Sequence, residues 1–258
     1  MIKSVSIEKM FVDLPLYDRF AAVRKFGFHY LEFGLWAPLD ISRLRELQQE
    51  QQMNIACISG DQDYSIIAPA ERNAFLDFLE QSIQVALKLD CRNLYIHSDA
   101  LGENGKMSTS GEALSDFTKI SAATRALMDA SVLAEKYGVY LQLEPVSTYV
   151  KPGYFMHTTA SAGELIRVID SPNLRLLYDI FHMQMMEGDF TRSVTKYADI
   201  LGYIHIADTP DRHEPGTGEI NFRYFRALLE SVGFDGILGF ELTPKADINE
   251  CMKVIHDF

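Results

Sequence analysis

Residues 114–145 read LSDFTKISAATRALMDASVLAEKYGVYLQLEP. Apolar residues recur at helical spacing from Leu114 to Tyr137, Gly138 interrupts, and Val139–Glu144 follows as a short apolar run that ends on an acid. A helix, a glycine stop and a buried strand, in that order, make one repeating unit of an α/β fold. The same alternation runs along the chain. Strand-like runs lie at Lys3–Met10, Tyr30–Gly34, Asn54–Gly60, Asn93–Asp99, Val139–Glu144, Leu174–Asp179, Gly202–Asp208 and Ile237–Leu242. Amphipathic stretches such as Glu71–Leu89, Ala162–Ile169 and Tyr224–Val232 separate them, with Gly27, Asp90, Gly138, Asp170 and Gly233 as punctuation. Eight strand and helix units in 258 residues predict a (β/α)8 TIM barrel, a single domain over 1–258. A doubly wound open sheet ranks below it, because no Gly-rich turn follows the first run.

The bulk numbers agree with a folded α/β domain. Hydrophobic residues make up 47% and charged ones 23%, and no apolar run reaches the roughly 18 residues that a bilayer span requires. The N-terminal MIKSVSIEKMF places Glu8 and Lys9 among its apolar residues, unlike a signal peptide, so a cytoplasmic location is expected. Cys57, Cys91 and Cys251 match neither a disulfide framework nor a CxxC pair and read as buried, reduced thiols. A net charge of −12 repels nucleic acid and anionic membrane, which leaves a small molecule as the expected partner. Barrels of this kind commonly form homo-oligomers, but no outer helix here identifies an interface.

Active sites of such barrels are built at the C-terminal ends of the strands, so polar residues there are informative. LQLEP places Glu144 after an apolar run, LLYD places Asp179, YIH places His205 in the seventh strand and GFE places Glu241 in the eighth. Unpaired, each would be costly beside residues that must be buried. Two Glu, one Asp and one His converging on one point form a hard oxygen site with a single nitrogen, suited to one divalent ion: manganese, magnesium or cobalt. Taken singly, each residue reads equally well as a salt bridge or a cap.

The segments LQLEP, LLYDIFHMQMMEGDF, LGYIHIADTPDRHEPGTGEINF and GFDGILGFELTP resemble the hydroxypyruvate isomerase family, within the xylose isomerase-like TIM-barrel group that includes ketose 3-epimerases. The resemblance is specific over Val139–Pro244 and weak before it. It implies Glu144, Asp179, His205 and Glu241 as ligands of one metal, Glu144 and Glu241 as the catalytic pair, and His182 and Arg212 as substrate contacts. Two features depart from it. His205 follows the epimerase pattern where hydroxypyruvate isomerases tend to carry glutamine, and the loops GLWAPLD and HSDALGENG differ from the isomerase segments.

The expected activity is metal-dependent isomerisation of a small hydroxy-carbonyl compound through a cis-enediolate, with one glutamate removing a proton and the other returning it. A ketose 3-epimerase is the alternative, differing only in where the proton returns. A metal-dependent endonuclease and a non-catalytic sugar-binding barrel are remoter. Arg212, together with His213, is expected over the pocket mouth, where its fork suits a substrate carboxylate. Gly216 and Gly218 are turn residues. Glu32 and His97 are further pocket candidates, and Trp36 reads as either a substrate wall or a loop anchor. Met183, Met185 and Met186 read as packing. Lys9, His29 and His256 carry no functional signal. The loop Ser98–Gly111 is expected to cover one end of the barrel.

Overall fold

The computed structural model describes residues 1–101, 107, 110–245 and 247–258. Half of the predicted Ser98–Gly111 cover, residues 102–106 and 108–109, lies outside the described residues. Strands β1 (Ile2–Ser6), β2 (Tyr30–Glu32), β3 (Asn54–Ser59), β4 (Asn93–Ile96), β5 (Tyr140–Leu143), β6 (Leu174–Asp179), β7 (Leu201–His205) and β8 (Ile237–Phe240) pair in sequence order, all parallel. Pairing of Val5 with Phe240 closes the barrel. Around it lie α1 (Asp18–Lys25), α2 (Ile41–Gln51), α3 (Arg72–Lys88), α4 (Asp116–Tyr137), α5 (Thr159–Ile169), α6 (Ile180–Met186), α7 (Phe190–Tyr197), α8 (Phe222–Ser231) and α9 (Ile248–Asp257). Among the described residues no helix is long and apolar enough to cross a membrane.

The strands carry two alternating sets of residues, and this period of two separates packing from chemistry. Leu94 and Ile96, Leu141 and Leu143, Leu176 and Tyr178, and Leu238 and Phe240 belong to the large core under the helices. The residues between them point into the barrel, where Cys57, Leu177 and Tyr203 form a small plug of their own. One step of two residues further along the same faces come His97, Glu144, Asp179 and His205. Apolar layers at the bottom of the barrel thus support polar residues at its top.

The predicted strands are all present, but several end early. β1 stops at Ser6, whose carbonyl accepts the Met10 N–H, so the apolar Ile7 and Met10 are buried in a turn rather than in a strand. Glu144 and Glu241 sit one residue past β5 and β8. Helix ends follow their chemistry. Ser115 caps α4 by accepting the Thr118 N–H, and Gly138 closes it at φ 65°, in the left-handed region that favours glycine.

Candidate active site

Asp179 ends β6 and also caps α6, its Oδ1 accepting the N–H groups of Phe181 (2.8 Å) and His182 (3.2 Å). One carboxylate oxygen is therefore fixed by the backbone and the other faces the barrel mouth. There Oδ2 meets the Arg212 guanidinium at 3.0 Å and His182 Nε2 at 3.6 Å. Arg212 Nη2 also contacts Glu241 Oε2 at 2.5 Å, and its Nε donates to the Glu241 carbonyl at 3.2 Å. Its guanidinium lies 5.0 Å from the centre of the Phe181 ring. Arg212 thus bridges two acids from different strands, and most of its fork is committed to the protein.

His205 lies at the centre. Its Nδ1 is 3.6 Å from Glu144 Oε1 and 3.3 Å from Glu241 Oε2, and its Nε2 is 3.4 Å from Glu32 Oε1. These are charge contacts without hydrogen-bond geometry: neither ring nitrogen has a hydrogen-bond partner among the described residues, although the residue is buried. Leaving a buried polar atom unmatched costs about 1–3 kcal/mol. One donor atom from each of Glu144, Asp179, His205 and Glu241 lies within 4.8 Å of the others, a grouping that can hold a metal ion. The orphaned nitrogen and the crowded oxygens fit a hard divalent cation, which would satisfy both.

The other candidates fall around this cluster. Glu32 is held by the Tyr203 hydroxyl and faces His205. Gly239 makes room for it, since a Cβ there would approach the Glu32 carboxylate to 2.5 Å. His97 has Nε2 3.5 Å from Glu144 Oε2 and Nδ1 3.1 Å from Asp61 Oδ1, so both its nitrogens already face carboxylates rather than open space. Asp61 was not anticipated. It lies two residues past β3, much as Glu144 lies one past β5, and the same strand-end rule would have found it; its Oδ2 also accepts the His97 backbone N–H at 2.6 Å.

Burial and neighbouring charge set the protonation pattern. Burial opposes the His205 charge, but the Glu144 and Glu32 carboxylates outweigh it and hold its pKa well above the ordinary histidine value. Glu144 shows the converse: burial is overridden by His205 and His97, and its carboxyl stays well below the usual range. Burial pushes Asp179 up to about 7 against the pull of Arg212. Burial and the Arg212 charge keep His182 well below its ordinary value, hence neutral, and its Nδ1 has no hydrogen-bond partner among the described residues.

The loop that follows β7 is organised by Asp208. Its carboxylate accepts N–H groups from Thr209, Gly216, Gly218 and Ile220 at 2.8–3.1 Å. Gly216 sits at φ 90°, and a Cβ on Gly218 would collide with the Thr209 carbonyl. Arg212 itself is held at φ 62°. One expectation needs correction, and one open alternative closes. His213 turns to the Thr243 carbonyl at 2.6 Å and does not line the cavity, because the loop reverses at Arg212. Of the two readings of Trp36, the loop anchor holds: its Nε1 is 3.1 Å from Ser82 Oγ and its ring is stacked on Phe78.

Glu144, His205 and Glu241 of the cluster line a cavity of about 600 Å³, a size typical of small-molecule sites. Its walls include Lys9, Glu32, His97, Lys151, His182 and Arg212. Lys9 is therefore a pocket residue after all. Its place after β1 is invisible to a reading by residue type.

The profile of the xylose isomerase-like TIM barrel family matches residues 20–257. The chain belongs to that family. A 2-oxo-tetronate isomerase from Haemophilus influenzae is 30% identical over 254 residues, covering 95% of this chain and 94% of the relative. A hydroxypyruvate isomerase from Escherichia coli is 28% identical over 250 residues, covering 94% and 93%. Among solved structures, a family 2 AP endonuclease from Brucella melitensis superposes with a TM-score of 0.88 at 25% identity, over 100% of this chain and 98% of its own. The relatives named as isomerases extend over nearly the whole barrel, and this chain is an enzyme of that class.

Proposed function

We propose that this protein is a metal-dependent isomerase of a small hydroxy-carbonyl compound of the hydroxypyruvate or 2-oxo-tetronate kind, a soluble small-molecule enzyme of the cytoplasm. The observation that carries the reading is the placement of two glutamates, Glu144 and Glu241, both within 3.6 Å of His205 Nδ1 and both lining the cavity. A binding barrel needs no two bases facing one substrate position; a proton transfer between neighbouring carbons does.

Glu144, Asp179, His205 and Glu241 would hold one divalent cation, which when bound supplies Lewis-acid stabilisation of negative charge on the substrate carbonyl oxygen. One glutamate removes the proton from the carbon beside the carbonyl, and the other returns it to the adjacent carbon. His182, neutral and with Nδ1 unmatched, supplies a hydrogen bond to a substrate oxygen. Arg212 aims the Glu241 and Asp179 carboxylates by binding both. Glu32 faces the second His205 nitrogen and orients the ring.

A ketose 3-epimerase is the second reading, favoured by the imidazole of His205 among the three acids. DNA is a poor fit for a chain of net charge −12. Proton NMR of the manganese-loaded protein with hydroxypyruvate, 2-oxo-tetronate and a panel of ketoses separates the two. Aldose–ketose interconversion of an oxo acid supports the isomerase; conversion of a ketose to its C3 epimer replaces it with the epimerase.

A further inference from the structure

The cavity holds two polar groups that the reaction just described does not use. Tyr95 of β4 points into the barrel, its ring packed on the plug of Cys57, Leu177 and Tyr203. Glu8 lies two residues past β1 and lines the same cavity as Tyr95. Its Oε1 is taken, accepting the Leu35 N–H at 2.8 Å. Among the described residues, Glu8 Oε2 and the Tyr95 hydroxyl make no hydrogen bond, with each other or with any neighbour. The two meet at Gly34, two residues past β2, where a Cβ would collide with the Tyr95 hydroxyl and stand 3.0 Å from Glu8 Oε2. The absent side chain leaves the two groups a shared space at the cavity wall.

We infer that the Tyr95 hydroxyl and Glu8 Oε2 together bind one hydroxyl of the substrate, on a carbon outside the reacting pair, so that the enzyme selects polyhydroxy chains of four or more carbons over three-carbon hydroxypyruvate. The inference rests on the isomerase reading for which carbons react, and on the cavity alone for the subsite.

Three observations support it. The first is the chemistry of the pair. A phenol donates, a carboxylate accepts, and a ligand hydroxyl between them satisfies both by accepting from one and donating to the other. A carboxylate or ketone oxygen has no proton for Glu8, an ammonium has no lone pair for Tyr95, and a methyl group serves neither. The second is rigidity. The Tyr95 ring is set edge-on to His97 and His205, at 5.4 and 6.4 Å between ring centres. Glu8 is pinned through Oε1, and Arg19 braces its turn by donating to the carbonyls of Ile7 and Val12. Groups already in place lose little freedom when they bind. The third is position. Glu144, His205 and Glu241 reach the cavity from β5, β7 and β8, whereas Tyr95 and Glu8 meet at the ends of β1 and β2. The Tyr95 ring spans the gap between His205 and that meeting point. Hydroxypyruvate carries only a carboxylate beyond its reacting carbons and has no hydroxyl to offer there.

Isothermal titration calorimetry of the manganese-loaded protein tests this with erythronate and 4-deoxyerythronate, which differ by one hydroxyl and, having neither ketone nor aldehyde, do not turn over. Erythronate is expected to bind about tenfold or more tightly, as suits a hydroxyl shared between a neutral donor and a charged acceptor. Tyr95→Phe should bring the two ligands within about threefold by weakening erythronate alone, and Glu8→Gln should act in the same direction. Circular dichroism and manganese stoichiometry show that the variants are folded. Equal binding of the two ligands by the parent protein, binding of neither, an undiminished preference in Tyr95→Phe, or equal weakening of both ligands in that variant overturns the subsite. Because none of these readouts requires turnover, an inactive protein with a Tyr95-dependent hydroxyl preference would instead overturn the isomerase reading and leave the subsite standing.

Discussion

Asp208→Ala removes the acceptor shared by the N–H groups of Thr209, Gly216, Gly218 and Ile220. Thr209 and Ile220 are buried, whereas the two glycines are exposed enough for water to replace the lost bond. A buried hydrogen bond to a charged acceptor contributes about 1.5–3 kcal/mol, and one that water can replace contributes much less. The loop should therefore lose about 4 kcal/mol of local stability, most of it at two donors. Native-state hydrogen exchange reads this directly: the Thr209 and Ile220 amides should exchange about a thousandfold faster, while amides of β4 and β5 keep their protection. Asp208→Asn retains one acceptor oxygen and should lie about midway. Because the Arg212 N–H donates to the Asp208 carbonyl, a loosened loop also frees Arg212 from Glu241, and activity should fall with protection. Exchange at Thr209 and Ile220 within threefold of the parent protein would refute the idea that one carboxylate organises the loop.

Metal binding and thiol reactivity give two further checks. In chelator-stripped protein His205 carries a proton at neutral pH and Asp179 titrates near 7, so a cation must displace both protons below about pH 7 and one above it. Apparent manganese affinity should then rise by about two orders of magnitude per pH unit at pH 6 and about one at pH 8, and a flat profile by calorimetry would contradict these protonation states. Burial raises the thiols of Cys91 and Cys251 to about 12 and that of Cys57 well above its usual value. All three therefore stay protonated at pH 8; a disulfide exchange reagent should titrate none in the native protein and all three in denaturant.

Much of the fold was legible because each strand repeats an apolar residue at every second position between turn residues. β6 was read to its ends, Leu174–Asp179, since Asp179 both stops the strand and caps the next helix. The ends that ran long did so where buried apolar residues continue after pairing stops, as at Ile7 and Met10. The three clustered acids and the imidazole were visible as strand-end residues. What the chain did not display is tertiary pairing: Asp61 meets His97 across 36 positions and Tyr203 meets Glu32 across 171. The commitment of Arg212 to Asp179 and Glu241 was equally hidden, because an arginine fork looks the same in sequence whether it waits for a substrate or binds two acids. Lys9 was passed over for the complementary reason, since a lone lysine acquires meaning only from the cavity it enters.

The most direct test of the central claim is deuterium incorporation from heavy water into hydroxypyruvate and 2-oxo-tetronate, followed by mass spectrometry with manganese-loaded protein, chelator-stripped protein, Glu144→Gln and Glu241→Gln. The account predicts carbon-bound deuterium with the loaded enzyme alone, and loss of at least about 100-fold in rate in the other three, as expected for removal of a general base or its Lewis acid. Incorporation that survives both glutamine substitutions and chelation would place the proton transfer elsewhere and contradict it.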